Sequence, residues 1–126
     1  KKEDLNKDEN QAIEKYGQET IEESKKRQSG KEDIVAEKFN SVFRSMAEYR
    51  NNNISIEEKE VQSKVEELYN YMNEYAFDCS VEVFSYIGKG YSQNPEFKNN
   101  IDKFGEGVAE YTSKAIEVYC NSRLNK

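Results

Sequence analysis

Apolar side chains recur at intervals of four and three residues along most of this chain after residue 30. One such stripe carries Val35, Phe39, Val42, Met46 and Tyr49. This interval places the apolar side chains on one face of an α-helix, whereas a half-buried strand needs strict alternation. The pattern therefore predicts a helical domain in which each helix buries one face.

Further stripes of the same kind extend towards the C-terminus. One lies within residues 56–75, a shorter one follows residue 80, and another begins where Asn94 and Pro95 give the cap and first-turn proline typical of a helix start. Gly105 and Gly107 interrupt the last stripe and predict a kink or a break there. Because the chain has one proline and six glycines, the sequence favours an all-α fold of about five to six helices over a turn-rich sheet.

Capping-box spacing marks two other helix starts. Ser29 precedes Glu32 by three residues, and Ser55 precedes Glu58 by three residues. In this motif the serine oxygen accepts from the amide three positions later, and the glutamate reaches back to the serine amide. The sequence therefore predicts that helices begin directly after Ser29 and Ser55.

Residues 1–30 are much poorer in apolar side chains than the rest of the chain. Ile13, Tyr16 and Ile21 have helical spacing, but Gly17 interrupts this helix at a cost of about 1 kcal/mol relative to alanine. A helix with so few apolar anchors is marginal unless something packs against it. Within a single domain, residues 1–126, we therefore expect a mobile N-terminal helical arm over residues 1–30 and a helical core over residues 31–126.

Composition argues against several classes of function. The chain has no histidine, which removes histidine-based catalysis and imidazole metal sites, and its two cysteines lack the spacing of a zinc site. A formal net charge of −6 argues against nucleic-acid binding by this chain alone. No membrane span or signal peptide is visible. We therefore expect a cytoplasmic protein that is not an enzyme, needs no metal or cofactor and does not associate with membranes.

Aromatic residues supply the candidate binding site, with Cys79 among them. One interpretation is that they complete a core short of leucine and isoleucine. The other is an aromatic-walled pocket, in which rigid rings provide contact area and hydroxyls orient a ligand. The pocket interpretation predicts ligand contacts from Tyr16, Phe39, Tyr75, Phe77, Cys79, Phe84, Tyr86 and Tyr91.

Cys79 itself has two interpretations. It lies between Asp78 and Ser80, either of which can cap the helix that follows. A thiol in the first turn of a helix has a lowered pKa and is more reactive. The alternative is a buried structural cysteine, which is also how we interpret Cys120.

A series of short motifs in order along the chain resembles one family. The motifs are Lys15-Tyr16-Gly17, Glu23-Ser24-Lys25-Lys26-Arg27, Phe77-Asp78-Cys79-Ser80, Ile87-Gly88-Lys89-Gly90-Tyr91, Asn94-Pro95-Glu96-Phe97, Ile101-Asp102, Gly105-Glu106-Gly107-Val108-Ala109, Ala115-Ile116 and Tyr119-Cys120. This set is similar to the antibiotic-recognition domain of thiostrepton-induced TipA-S proteins and to the effector domain of MerR-type multidrug-transporter activators.

The resemblance implies a globin-like all-helical domain with a ligand cleft between helices and N-terminal helices that become ordered when ligand arrives. The implied ligand is a thiopeptide-like or other bulky lipophilic or aromatic antibiotic. In thiopeptide binders a cysteine can add to a dehydroalanine of the antibiotic, and Cys79 is the best local match for such a covalent attachment.

The resemblance also implies a role in transcription. In full-length regulators a winged helix-turn-helix and a dimerising coiled coil precede this domain, so DNA binding and homodimerisation are expected only through parts that this chain lacks. The expected function is the sensor domain of a MerR-type activator of drug-response genes. The alternatives are a stand-alone resistance protein that sequesters antibiotic and a helical protein–protein interaction domain.

Overall fold

The computed structural model describes residues 18–124, which form helices joined by short turns. They are α1 over residues 18–28, α2 (Glu32–Asn51), α3 (Lys59–Tyr75), α4 (Val81–Gln93), α5 (Pro95–Asp102) and α6 (Val108–Leu124). Residues 18–124 contain no strand, and the prediction of an all-α fold is confirmed. The globin-like arrangement of the helices stays a prediction. None of the described helices is long and apolar enough to cross a membrane.

Helix α6 lies at the centre of the fold and packs against α2, α3, α4 and α5. The largest fully buried side chains are Phe84, Met46, Leu68 and Ile116. Helix α4 approaches α6 closely at Gly88, where an added Cβ would lie 2.6 Å from Cγ2 of Ile116. Gly88 therefore sets how closely α4 packs on the central helix, and α4 continues past it to Gln93.

Two of the predicted helix starts are confirmed by their caps. The Asn94 side chain accepts from the backbone amide of Glu96 at 2.9 Å, and Pro95 occupies the first position of α5. The Ser80 hydroxyl accepts from the amide of Val83 at 3.2 Å and caps α4. Both contacts satisfy amides that have no partner inside their own helix.

The two predicted capping boxes are wrong in detail. Helix α2 begins at Glu32 without a side-chain cap, because Gly30 has a φ of +82° and turns the chain before the helix can start. Helix α3 begins at Lys59. The Ser55 hydroxyl accepts from the amide of Glu57 at 3.3 Å, so it closes a turn that precedes the helix.

The predicted interruption at the C-terminal glycines is a complete break between α5 and α6. Gly107 has a φ of +83°, a backbone conformation that favours glycine. The Asp102 carboxylate at the end of α5 accepts from the amide of Ala109 at 2.9 Å, and this hydrogen bond lowers the pKa of Asp102. The carboxylate of one helix thus caps the first turn of the next.

Candidate functional site

Helix α1 is attached to the C-terminal end of α3 by hydrogen bonds from its side chains to backbone carbonyls. The pairs are Ser24 Oγ to Ala76 O (3.3 Å), Arg27 Nη1 to Asn73 O (2.6 Å) and Gln28 Nε2 to Tyr75 O (3.0 Å). The last carbonyls of a helix have no partner within it and need one from elsewhere. The side chains of α1 supply these partners, so α1 serves as the C-terminal cap of α3.

Arg27 makes two further contacts on the surface. Its Nη2 lies 2.9 Å from the Asp78 carboxylate and its Nε lies 2.7 Å from the Glu23 carboxylate. The Asp78 side chain is almost fully exposed, so solvent screens the first pair. The attachment of α1 to α3 is therefore polar, and Ile21 of α1 stays 56% exposed.

A groove of about 1050 Å³ lies between α1 and α4. Its α1 side is formed by Thr20, Ile21, Ser24, Lys25 and Gln28, with Glu32 from the start of α2. The other residues that line it are Met72, Ala76 and Phe77 from the end of α3 and just beyond, Val83, Tyr86, Ile87, Gly90 and Tyr91 from α4, and Phe97 from α5. One side of the groove is thus mostly polar and the other is apolar and aromatic.

The groove concentrates the exposed apolar surface of the described residues. Five large hydrophobic side chains are exposed among residues 18–124, and three of them, Ile21, Tyr86 (70%) and Phe97 (52%), line this groove. Scattered exposed hydrophobic side chains are ordinary, but several in one concavity indicate a binding surface.

Of the residues predicted from the sequence, the structure places Phe77, Tyr86 and Tyr91 in the groove. Tyr91 is 9% exposed, and its ring lies 5.8 Å from that of Phe43 and 6.3 Å from that of Phe97. It therefore lies at the junction between the groove and the core, while Tyr86 lies at the rim.

Phe84 lies in the core and does not line the groove. Its ring is 5.0 Å from that of Tyr69 and 6.0 Å from that of Tyr119. Phe84 is one position away from the groove residue Val83, and successive residues of a helix point about 100° apart. The helical stripe of α4 therefore divides between two faces, one that packs on α6 and one that faces the groove.

Cys79 is also buried, in the turn between α3 and α4. Its amide donates to the Asn73 side chain at 2.8 Å, and its carbonyl accepts from the Tyr69 hydroxyl at 2.7 Å. Burial raises the pKa of the Cys79 thiol to about 11, so of the two interpretations the buried structural cysteine agrees with the structure and the thiol of lowered pKa does not. The physical reason is that Cys79 precedes the cap residue Ser80 and lies outside the first turn of α4. A covalent role for Cys79 stays a prediction.

Phe39 and Tyr75 belong to an aromatic row across α2 and α3, outside the groove. Tyr71 lies between them, with ring centroids 6.0 Å from Phe39 and 6.2 Å from Tyr75. Lys38 and Lys31 lie over the rings of Tyr71 and Tyr75, at 5.4 and 5.7 Å. The Tyr71 hydroxyl donates to the Glu67 carboxylate at 2.7 Å, and this hydrogen bond raises the pKa of Tyr71 to about 12.

Tyr16 lies outside the described residues. That Tyr16, Phe39 or Tyr75 contacts a ligand stays a prediction.

None of the α1 residues that line the groove was predicted from the sequence, nor was Phe97. The spacing of residues 20, 21, 24, 25 and 28 places them on one face of a helix. This spacing is the sequence feature that could have indicated the α1 side of the groove. Over residues 18–124, no group of three or more cysteine, aspartate or glutamate side chains could hold a metal ion.

Comparison with known proteins gives one family and one relative. The sequence model of the TipAS antibiotic-recognition domain matches residues 9–119. The chain is 30% identical over 115 residues to the HTH-type transcriptional activator mta of Bacillus subtilis (strain 168), an alignment that covers 87% of this chain and 44% of the activator. The chain therefore spans less than half the length of this relative. No solved structure gives a significant match.

Proposed function

Because the chain belongs to the family of TipAS antibiotic-recognition domains, we propose that it is the ligand-sensing domain of a MerR-type transcriptional activator of drug-response genes. In this proposal the groove between α1 and α4 holds a bulky, lipophilic, multi-ring compound such as a thiopeptide-like antibiotic. Binding is stoichiometric, without catalytic turnover. The activator works in the cytoplasm, and a DNA-binding domain and a dimerising coiled coil outside this sequence connect it to DNA and to a second copy.

The observation that carries the proposal is the cluster of exposed apolar side chains in one groove. Ile21, Tyr86 and Phe97 come from three different helices and meet around a volume of about 1050 Å³. That volume lies just above the range of about 300–1000 Å³ for small-molecule sites. A flat multi-ring compound in the groove would remove these side chains from water, at roughly 25 cal/mol per Å² of apolar surface.

The proposed sensing mechanism follows from how α1 is held. Its hydrogen bonds to α3 are partly exposed, and its apolar side chain Ile21 is 56% exposed and so lacks a complete apolar cover. A compound that contacts both α1 and α4 supplies that cover and favours the state in which the two helices lie side by side. A ligand that prefers one state by about 10⁴-fold shifts a population from about 1:99 to about 99:1.

The test is a titration of ¹⁵N-labelled protein with thiostrepton, a thiopeptide, followed by heteronuclear NMR. The proposal predicts that shift changes concentrate in α1 and α4, and that Phe97→Ala weakens binding. Leu124→Ala is the matched control, because Leu124 is a similarly exposed hydrophobic residue (47%) that does not line the groove. Binding that leaves the amides of α1 and α4 unshifted, or no binding of thiostrepton or other multi-ring drugs, would contradict the proposal.

The alternative that the chain is a protein–protein interaction domain uses the same apolar side chains. It predicts association that depends on concentration. Sedimentation velocity separates the two, because a sensing domain of this kind stays monomeric and binds multi-ring drugs. A sequestering resistance protein would bind drug in the same groove, and the sequence of the full gene product distinguishes it by the presence or absence of a DNA-binding domain.

A further inference from the structure

Tyr91 places a hydroxyl without a hydrogen-bond partner at the apolar side of the groove. The residue is 91% buried, and its ring is held between those of Phe43 and Phe97. Among residues 18–124 its hydroxyl makes no hydrogen bond. Tyr91 lines the groove, so the 9% of the residue that stays exposed faces the groove.

Other polar side chains of the groove are already bonded or solvated. Ser24 and Gln28 each donate to a carbonyl at the end of α3. Lys25 and Tyr86 are exposed at the rim, where water satisfies them. Tyr91 differs from these four residues because it is buried and its hydroxyl has no hydrogen-bond partner. A compound that enters the groove and expels water therefore leaves this hydroxyl unpaired unless the compound itself provides a partner.

We infer that the Tyr91 hydroxyl donates a hydrogen bond to the compound in the groove and selects multi-ring ligands with an acceptor, such as a carbonyl oxygen, over pure hydrocarbons. This inference rests on the proposed function and adds a chemical requirement to it. A ligand without an acceptor would leave a buried hydroxyl unpaired, and sites built in this way discriminate against such ligands. Size and apolar surface alone would not distinguish the two classes.

The hydroxyl acts as a donor because it keeps its proton. Burial raises the pKa of Tyr91 well above its ordinary value, with a smaller contribution from the neighbouring Cys79. A neutral phenol among aromatic rings offers one O–H to a ligand. The ring contacts with Phe43 and Phe97 restrict where that O–H can point, so the acceptor must lie near the α4 side of the groove.

The experiment compares 9-fluorenone with fluorene, two three-ring compounds of nearly the same shape, of which only the first has a carbonyl. Each is titrated into wild type, Tyr91→Phe and Tyr49→Phe, with binding followed through the backbone amide shifts of residues 83–91. Tyr49→Phe is the matched control, since it removes a tyrosine hydroxyl outside the groove. Thermal melts of all three proteins verify that each is folded.

We expect the wild type and Tyr49→Phe to prefer 9-fluorenone by about fivefold to tenfold, the usual net contribution of one hydrogen bond. In Tyr91→Phe this ratio is expected to fall to about one, through loss of affinity for 9-fluorenone. An unchanged ratio in Tyr91→Phe, or no preference in wild type, would overturn the role of Tyr91 while leaving the groove as a drug site. Failure of both compounds and of thiostrepton to bind in the groove would overturn the proposed function, and the role of Tyr91 with it.

Discussion

Nη1 of Arg27 donates a hydrogen bond to the backbone carbonyl oxygen of Asn73 over 2.6 Å. The same Asn73 uses its side chain to accept from the Cys79 amide at 2.8 Å. One residue at the end of α3 thus connects α1 with the turn that leads into α4. The two sides of the groove are held relative to each other through Asn73.

Arg27→Met is expected to loosen α1 while leaving the core folded. Methionine keeps the unbranched apolar stem but lacks the guanidinium, so the hydrogen bond to Asn73 and the ion pairs with Glu23 and Asp78 are lost. Hydrogen exchange of the amides of residues 18–28 should accelerate severalfold, because local opening of α1 becomes easier. Arg123→Met is the control, since Arg123 also pairs with a carboxylate at 2.9 Å but lies on α6. Equal acceleration in both variants would contradict a specific role of Arg27.

Gly88→Ala is expected to destabilise the domain by about 1–3 kcal/mol, the usual cost of overpacking a core. The added Cβ would lie 2.6 Å from Ile116 Cγ2 and would push α4 away from α6. Gly90→Ala is the matched control on the same helix, because nothing lies within 4 Å of a Cβ there. The control should gain up to about 1 kcal/mol from helix propensity. Urea denaturation measures both, and a Gly88→Ala variant as stable as wild type would show that the helices separate at little cost.

Thr112→Val is expected to stabilise the domain by about 1–2 kcal/mol, since it removes a buried hydroxyl that has no partner. Thr112 is fully buried, and its Oγ1 makes no hydrogen bond among residues 18–124. Valine has nearly the same shape. Thr112→Ser keeps the hydroxyl and removes a methyl group, so it should lose about 1 kcal/mol. If Thr112→Val melts at a lower temperature than wild type, the Thr112 hydroxyl has a hydrogen-bond partner in solution and the prediction is wrong.

Cys79 is expected to react slowly with iodoacetamide in the folded protein. A rise of its pKa from 9.0 to about 11 lowers the thiolate fraction at neutral pH by about 100-fold, and burial slows access further. The rate should rise about tenfold per pH unit up to about pH 11. Peptide mapping by mass spectrometry separates Cys79 from Cys120, and rapid labelling of Cys79 at pH 7 would contradict its burial.

The raised pKa of the Cys79 thiol also makes the stability of the domain depend on pH. Because the folded state holds the Cys79 proton more tightly than the unfolded state, the contribution to stability is complete below about pH 9 and is lost as pH rises towards about 11. Cys120 has a similarly raised pKa and acts in the same direction. Urea midpoints measured from pH 8 to pH 11 should therefore fall, and Cys79→Ala should reduce the slope.

The fold followed from the sequence because helix periodicity and caps are local signals. The spacing of Val35, Phe39, Val42 and Met46 predicted α2, and Asn94 predicted the start of α5. The capping box at Ser29 failed because the positive φ of Gly30, a turn conformation that the spacing does not encode, determines where α2 begins.

The candidate site could be predicted only in part, because its composition depends on which helices lie side by side. Phe84 and Tyr86 are both aromatic residues of the same helix, and the sequence does not distinguish them as site residues. In the structure Phe84 is buried in the core, whereas Tyr86 faces the groove. Ile21 and Ser24 lie in a segment poor in apolar residues, and only the packing of α1 against the end of α3 brings them to the site. Burial likewise decided the state of the Cys79 thiol, which a position beside a helix start could not reveal.

The acceptors that hold α1 are main-chain oxygens of Asn73, Tyr75 and Ala76. Such oxygens are present whatever side chains α3 carries at these positions. Side chains at the end of α3 can therefore be exchanged during evolution without removing the atoms to which α1 binds. The attachment of α1 to α3 thus places no requirement on the side chains at these three positions, which leaves the neighbouring surface free to acquire new ligand preferences.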